Sequence, residues 1–230
     1  GISNIPVDID NDGNFDLFVG TNKGKVIYYK NISTPENPDV FEEQTGNLNP
    51  LNQINFEKKV TPSFVDIDGD GDIDVFIGTI NSIAFYENIG TSEAPLFENK
   101  IGDSNPLSEV YSSGSRSYFP VFVDVDKDSD YDVFIGWVDF NVENSQGILF
   151  YSNTGSLAIS QFENKEGQSN PFQAFNALYP NPVFVDADGD GDQDAFIGRG
   201  DGVLDYYKNT TDFSLRVDNN LSLRFVLYSI

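Results

Sequence analysis

The sequence predicts an all-β chain: a β-propeller of four repeats, each a four-stranded antiparallel blade. A nine-residue acidic loop occurs four times, and its first aspartates are spaced by 58, 58 and 62 residues. Short apolar strands flank every copy, and helical periodicity is absent. A repeat of about 60 residues with four short strands is typical of a propeller blade.

The repeats predict a single propeller array over residues 1–230, because a unit of this size cannot bury its own core. The array either closes as a four-bladed ring or forms part of a larger propeller. We expect the last blade to take its fourth strand from residues 213–217, where apolar and polar residues alternate. The expected blades cover about 5–50, 61–108, 119–172 and 181–217, with an off-pattern C-terminal strand in 218–230.

Each repeat has the same order of strands. The first strand precedes the acidic loop, at 5–7, 62–65, 120–123 and 182–185. The second follows the loop and ends in glycine, at 17–20, 75–78, 133–136 and 195–198. The third precedes an asparagine, at 26–29, 83–86, 148–151 and 203–207. A fourth strand around Phe41, Phe97 and Phe162 is followed by an Asn-Pro pair at 49–50, 105–106 and 170–171.

The acidic loops cover residues 8–16, 66–74, 124–132 and 186–194. Four or five carboxylates in nine residues repel one another in a compact loop, so each loop requires a cation. Positions 1, 3, 5 and 9 can turn side-chain oxygens inward, and position 7 can offer its backbone carbonyl. Glycine at position 6 of three loops permits the sharp turn that this wrapping needs.

The chemistry of the loops favours calcium. A flexible cage made only of oxygens suits calcium better than magnesium. The chain has no histidine and no cysteine, so zinc and copper lose their usual ligands. We therefore expect up to four calcium ions, one per repeat. Ser129 replaces the position-6 glycine of the third loop, which we expect to bind most weakly because of backbone strain.

The Asp-x-Asp-x-Asp-Gly-x-x-Asp loop, the flanking Phe-Val and Phe-Ile-Gly strands and the following Tyr-x-Asn resemble the FG-GAP and VCBS repeat family, which includes the integrin α-subunit propellers. The resemblance extends over about residues 5–210, in four copies where seven are typical of the family. It implies a calcium-binding propeller whose loop positions 1, 3, 5 and 9 supply carboxylates and position 7 a carbonyl. The implied metal-binding residues are Asp8, Asp10, Asp12, Asn14, Asp16, Asp66, Asp68, Asp70, Asp72, Asp74, Asp124, Asp126, Asp128, Asp130, Asp132, Asp186, Asp188, Asp190, Asp192 and Asp194.

Composition excludes several function classes. The formal net charge is −24, and the four loops hold 19 of the 37 acidic residues. The remaining negative surface argues against nucleic acid as a partner. The absence of a long apolar stretch argues against membrane insertion. Without histidine or cysteine, triads with a histidine base and thiol nucleophiles are unavailable, so we expect the protein not to be an enzyme.

The expected function is that of an extracellular, calcium-stabilised binding or adhesion module. A secreted or cell-surface location is favoured because weak calcium cages fill where calcium is abundant. We expect a protein or glycan ligand on the face opposite the metal loops, and the sequence leaves open an oligomeric assembly. A carbohydrate-binding lectin and a part of a polysaccharide-active enzyme are the alternatives.

An insertion in the third repeat supplies the candidate ligand-binding residues. Residues 137–146 separate the second and third strands there and include the only tryptophan of the chain. Trp137 and Phe140 are the candidates, because aromatic rings beside polar side chains suit sugar stacking or protein contact. In the alternative interpretation, both rings fold back and cover the edge of the blade.

Overall fold

The structure, a computed structural model, describes residues 3–143, 145–211 and 224–228. Within these ranges the chain forms sixteen strands, arranged in four antiparallel four-stranded sheets. Neighbouring strands of each sheet follow one another in sequence. The prediction of an all-β chain with four four-stranded propeller blades is confirmed. The chain divides into two compact units, Gly1–Ser113 and Gly114–Ile230, with two blades in each.

The first unit contains blades 1 and 2. Blade 1 consists of β1 (Ser3–Val7), β2 (Asp16–Gly20), β3 (Val26–Asn31) and β4 (Phe41–Gln44). Blade 2 consists of β5 (Thr61–Val65), β6 (Asp74–Gly78), β7 (Ile83–Asn88) and β8 (Phe97–Lys100). In both blades the acidic loop joins the first strand to the second, as the sequence predicts.

The second unit contains blades 3 and 4. Blade 3 consists of β9 (Arg116–Val123), β10 (Asp132–Asp139), β11 (Gln146–Asn153) and β12 (Phe162–Lys165). Blade 4 consists of β13 (Asn181–Val185), β14 (Asp194–Gly198), β15 (Leu204–Asn209) and β16 (Phe225–Tyr228). Strands β9, β10 and β11 have eight residues each, because the insertion of the third repeat lengthens its hairpin.

The fourth strand of blade 4 comes from the tail of the chain. Strand β16 pairs with β15 in antiparallel register, from Asn209 opposite Phe225 to Tyr206 opposite Tyr228. The ring of Phe225 lies 5.0 Å from that of Phe172, so it adds to the aromatic core of the unit. The sequence led us to expect this strand at 213–217, which lies outside the described residues.

Each blade is held by an aromatic pair between its second and third strands. The pairs are Phe18–Tyr28, Phe76–Phe85, Phe134–Phe150 and Phe196–Tyr206, with ring centroids 4.5, 4.4, 4.4 and 4.8 Å apart. Strand β6 is buried along its whole length, as predicted for an inner strand, whereas β2 and β14 retain half-buried residues on one face.

The glycine that ends the second strand permits a close approach between consecutive blades. A side chain at Gly20 would collide with the carbonyl oxygen of Val60, directly before β5. In the second unit, a side chain at Gly136 would collide with the carbonyl oxygen of Pro180, directly before β13. Packing against the next blade therefore requires glycine at these two positions, whereas a side chain at Gly198 would meet only the carbonyl oxygen of Asn181, at an ordinary 3.9 Å.

The Asn-Pro pairs anchor the connections that leave the fourth strands of blades 1, 2 and 3. Short 3-10 turns at Gly46–Leu48, Gly102–Ser104 and Gly167–Ser169 lead into the buried asparagines. Each asparagine donates from Nδ2 to a third-strand carbonyl and accepts the N–H two residues onward; the asparagines are Asn49, Asn105 and Asn170. In the described part of the chain, helix is limited to these turns, which are too short to cross a membrane.

Candidate metal centre

The first aspartate of each acidic loop closes the loop with both of its carboxylate oxygens. Asp66 accepts the backbone N–H of Gly69 at 2.8 Å and that of Gly71 at 3.1 Å. The corresponding donors are Asp12 and Gly13 for Asp8, Asp128 and Ser129 for Asp124, and Gly189 and Gly191 for Asp186. All four loops therefore share the bond from position 6 to Oδ2, whereas the bond to Oδ1 comes from position 4 in loops 2 and 4 and from position 5 in loops 1 and 3.

Each loop brings the carboxylates at positions 1, 3 and 5 together. In every loop, one oxygen from each of these three residues lies within 4.8 Å of the other two. Such a cluster of like charges is favourable only when a positive charge is close by. The triads are Asp8, Asp10 and Asp12; Asp66, Asp68 and Asp70; Asp124, Asp126 and Asp128; and Asp186, Asp188 and Asp190.

Two backbone positions of each loop are left-handed. Position 6 has a φ of 93° at Gly71 and of 77° at Ser129, so the serine adopts the conformation that glycine takes elsewhere. A non-glycine residue pays about 1–2 kcal/mol for this conformation. Position 4 is also left-handed, with Lys127 at 62° in the third loop. That loop thus contains two non-glycine residues in a disfavoured region, which supports the expectation that it is strained.

The aspartate at position 9 of each loop is bonded to the third strand of its blade. It is at most 2% exposed in all four copies. Its Oδ1 accepts the backbone N–H of the asparagine that ends the third strand, at 2.7 or 2.8 Å. The pairs are Asp16–Asn31, Asp74–Asn88, Asp132–Asn153 and Asp194–Asn209. Each loop is thereby fixed to the end of the third strand.

Burial perturbs the carboxylates of the second and third loops. Burial raises the pKa of Asp74 to about 7 and that of Asp132 to about 8, although each accepts a hydrogen bond that opposes the shift. Burial and the neighbouring aspartates raise the pKa of Asp72 to about 6 and that of Asp130 to about 7. These environments disfavour the charged form, so a bound cation would relieve a large electrostatic cost.

Orphaned oxygen atoms test whether the loops fit a metal ion. Asp72 and Asp130 are 7% exposed, and the Oδ1 atom of each is buried without a hydrogen-bond partner. Buried carboxylate oxygens normally have a partner. Together with the all-oxygen triads, these atoms make loops 2 and 3 suitable for a hard divalent cation, and loops 1 and 4 have the same triads. The residues present therefore fit a metal ion.

The first and fourth loops differ from the second because a lysine reaches into them. Lys30 of β3 pairs with Asp10 and lies 3.2 Å from Oδ2 of Asp12. Lys30 also donates a hydrogen bond to Asp10. Burial would raise the pKa of Asp12, but hydrogen bonds from Asn14 and the nearby Lys30 hold it below its usual value.

Lys208 of β15 occupies the equivalent place in the fourth loop. It pairs with Asp188 and lies 3.1 Å from Oδ2 of Asp190. The hydrogen bond from the backbone of Asp192, together with Lys208, lowers the pKa of Asp190. A second lysine also contacts the fourth loop: Nζ of Lys127, from the third loop, lies 2.5 Å from Oδ1 of Asp192.

The aromatic residues proposed for ligand binding lie on the lengthened hairpin of blade 3. Trp137 belongs to β10, opposite Tyr118 and Gly147, and the guanidinium of Arg116 lies 4.2 Å from its ring centroid. One face of the indole is therefore covered by a cation. Phe140, at the tip of the hairpin, is half exposed, and its ring lies 6.1 Å from that of Tyr179. The two candidates thus differ in accessibility.

A cavity of about 500 Å³ opens beside the first loop, within the first unit. Asp10, Tyr28 and Lys30 line one part of it. Amide side chains and apolar residues complete the wall, among them Gln44, Asn47, Asn52, Gln53, Leu48 and Leu96. Apolar walls with a few polar groups are characteristic of small-ligand sites. This cavity could not be predicted from the sequence, because its walls come from four separate segments.

The contacts of Lys30 and Lys208 with their acidic loops were also not predicted from the sequence, although the repeats differ at the relevant positions. The residue before the asparagine that ends the third strand is Lys30, Glu87, Ser152 or Lys208 in the four repeats. Two residues earlier, the same repeats have Tyr28, Phe85, Phe150 and Tyr206. A comparison of the copies at these positions would have separated loops 1 and 4 from loops 2 and 3.

Comparison of the chain with models of known protein families and with curated protein sequences gave no match.

Proposed function

We propose that this protein is a calcium-stabilised β-propeller that serves as an extracellular binding or adhesion module. The convergence of three carboxylates in each of four equivalent loops supports the proposal most strongly. Calcium is favoured because the ligands are oxygens on flexible loops and the sequence lacks histidine and cysteine. Each ion would stabilise the turn between the first and second strands of a blade.

Removal of divalent cations tests this role. Ions that bind only the folded state stabilise it by mass action, by about 4 kcal/mol per site at a thousandfold excess over Kd. We expect the Tm in 2 mM calcium to exceed the Tm in a chelator by at least about 10 °C. Magnesium at the same concentration should restore less stability. An identical melting curve after verified metal removal would refute structural calcium.

Binding rather than catalysis is proposed because the perturbed carboxyl groups belong to the metal loops. The carboxyl pKa values that are raised include those of Asp16, Asp68, Asp72, Asp74, Asp130 and Asp132. All six aspartates lie within loops 1, 2 and 3. A hydrolase that uses paired carboxylates would need such groups beside a substrate cleft.

The cavity beside the first loop favours a glycan as the ligand. Its amides can bond to sugar hydroxyls, and Leu48 and Leu96 can contact the apolar face of a sugar ring. The sequence suggested a different location for the ligand, namely the face opposite the metal loops. The proposed ligand class remains a protein or a glycan, and the cavity is the observation that favours the lectin alternative.

A pair of variants distinguishes the two locations. We expect oligosaccharides on an array to be retained by the wild type and lost in the double variant Gln44→Ala and Asn52→Ala, which opens the amide wall. Trp137→Ala serves as the matched control on blade 3 and should retain binding. Loss of binding in Trp137→Ala alone would move the glycan site to the hairpin. Protein binding that is indifferent to sugars would favour adhesion.

A further inference from the structure

The third strands of blades 1 and 4 each direct two donors at their acidic loop. In blade 1, Tyr28 donates its hydroxyl to Oδ2 of Asp16 at 2.9 Å, and Lys30 pairs with Asp10 and Asp12. Residues two apart on a strand share a face, which explains why the tyrosine and the lysine act on the same loop. The strand thus supplies both a hydroxyl and a positive charge to one acidic loop.

Blade 4 repeats this arrangement with different neighbours along the chain. Tyr206 donates its hydroxyl to Oδ2 of Asp194 at 3.0 Å, and Lys208 pairs with Asp188 and Asp190. Both the residue types and their targets, positions 9, 3 and 5 of the loop, are the same as in blade 1. A chance surface ion pair would not be expected to repeat with the same partners.

Blade 2 has neither donor at the corresponding positions. Phe85 replaces the tyrosine, and Glu87 replaces the lysine and pairs with Lys100 at 2.6 Å. No lysine or arginine of the described ranges forms an ion pair with Asp66, Asp68 or Asp70. In blade 3, the corresponding residues are the uncharged Phe150 and Ser152.

We propose that Lys30 and Lys208 are internal counter-ions that compete with the metal ion for loops 1 and 4, whereas loop 2 depends on the metal ion alone. This inference rests on the proposed binding of calcium to the loops. Lys30 contacts Oδ2 of both Asp10 and Asp12, two carboxylates of the proposed cation triad. A cation that uses these oxygens must displace the ammonium group, and two positive charges at this distance also repel each other.

The competition makes calcium binding sequential. Loop 2 fills at the lower calcium concentration, and loops 1 and 4 fill only when calcium is abundant enough to displace their lysines. In the absence of calcium, loops 1 and 4 retain a folded form because the lysine neutralises part of the negative charge. Lys30 and Lys208 therefore set the order in which the loops bind calcium.

The experiment is a calcium titration of the ¹⁵N-labelled protein followed by NMR. The amides of Gly13, Gly71 and Gly191 each report on a different loop, because each donates to the first aspartate of that loop. We expect the midpoint at Gly71 to be at least tenfold lower than the midpoints at Gly13 and Gly191. Lys30→Gln should lower the Gly13 midpoint about tenfold and leave the Gly71 midpoint unchanged.

Loop 2 supplies the reciprocal variant. Glu87→Lys should place an ammonium group beside Asp68 and Asp70 and raise the Gly71 midpoint about tenfold, whereas Glu87→Gln controls for the loss of the glutamate charge. Lys58→Gln, at an exposed lysine, controls for the change in net charge. Metal-free melting adds a second measurement: Lys30→Gln should lower the Tm in chelator, and Lys58→Gln should not.

The outcomes separate this inference from the function on which it rests. If no amide responds to calcium, the proposed metal function fails. If the amides respond with equal midpoints in the wild type, and Lys30→Gln shifts none of them, calcium binds but the lysines do not compete. An unchanged Gly71 midpoint in Glu87→Lys would likewise overturn the inference.

Discussion

Asp74 accepts the backbone N–H of Asn88 at 2.7 Å, and both residues are at most 3% exposed. This hydrogen bond joins the last position of the second loop to the end of β7. The acidic loop and the aromatic hairpin of the blade are therefore joined by a buried hydrogen bond. Because this bond is buried, we expect changes at the end of the loop to alter the stability of the blade.

Replacement of Asp74 with alanine should be among the most damaging single changes in a loop. It leaves the N–H groups of Asn88 and Ile67 without their acceptor, and we expect a loss of about 3 kcal/mol in the free energy of unfolding. Denaturant unfolding in excess chelator measures the effect without a contribution from calcium.

Asp74→Asn and Asp103→Ala are the controls for that measurement. The asparagine keeps an acceptor for Asn88 and should lose less stability than the alanine variant. Asp103 is exposed and lies in a 3-10 turn, so its replacement should change the free energy of unfolding by less than about 0.5 kcal/mol. Equal losses for alanine and asparagine at position 74 would contradict the role of this hydrogen bond.

The metal-free protein should be stabilised by mild acid. The pKa of Asp132 is raised to about 8, and the pKa values of Asp74 and Asp130 to about 7, from an ordinary value of 3.8. Between pH 4 and 8 the folded state thus binds more protons than the unfolded state, so its stability falls as pH rises. This stabilisation is fully present below pH 3.8 and lost as pH passes about 8.

Melting curves in chelator at pH 5, 6, 7 and 8 measure this dependence. We expect the Tm to fall steadily from pH 5 to pH 8. In excess calcium the trend should weaken or reverse, because the ion binds the deprotonated carboxylates. A chelated protein that is more stable at pH 8 than at pH 5 would show that other groups dominate.

Ser129→Gly should relieve backbone strain in the third loop. Ser129 has a φ of 77°, and removing its side chain recovers up to about 1 kcal/mol, after allowance for the extra entropy of glycine in the unfolded chain. We expect a higher Tm and a calcium affinity in this loop up to about fivefold higher, measured by calorimetric titration.

Gly71→Ser is the matched reverse variant. A side chain at Gly71 would meet no atom within 4 Å, so only the backbone conformation, with φ of 93°, opposes it. We expect a loss of about 1–2 kcal/mol in stability. If Ser129→Gly and Gly71→Ser shift stability in the same direction, backbone conformation does not set the strength of these loops.

Asn105 offers a prediction that is independent of metal. Its amide donates to the carbonyl of Ile83 and its oxygen accepts the N–H of Leu107, each at 2.9 Å. Asn105→Ala leaves both groups unsatisfied in a buried site and should cost about 2–3 kcal/mol, in calcium and in chelator alike. Asn99→Ala, at an exposed position of β8, should cost less than about 0.5 kcal/mol. A dependence on calcium would indicate that Asn105 acts through the loops.

The sequence by itself determined the repeat, the strand order and the acidic loops. These features are local: alternation, glycine and asparagine positions, and carboxylate spacing act within a few residues. The sequence also indicated that the third loop is unusual, because Ser129 stands where the other loops have glycine. It did not predict that Phe225–Tyr228 pairs with β15 as β16, and its expectation of a strand at 213–217 lies outside the described residues.

The tertiary structure decided which distant side chains meet. Lys30 lies 20 residues from Asp10, and only the register of β2 and β3 brings them together. The same holds for Arg116 and Trp137, which meet because β9 and β10 pair along eight residues. Contacts of this kind depend on strand register and on the path of each connection, which no local pattern specifies. The loops could thus be found from the sequence, whereas the division between loops with and without a lysine counter-ion required the folded blades.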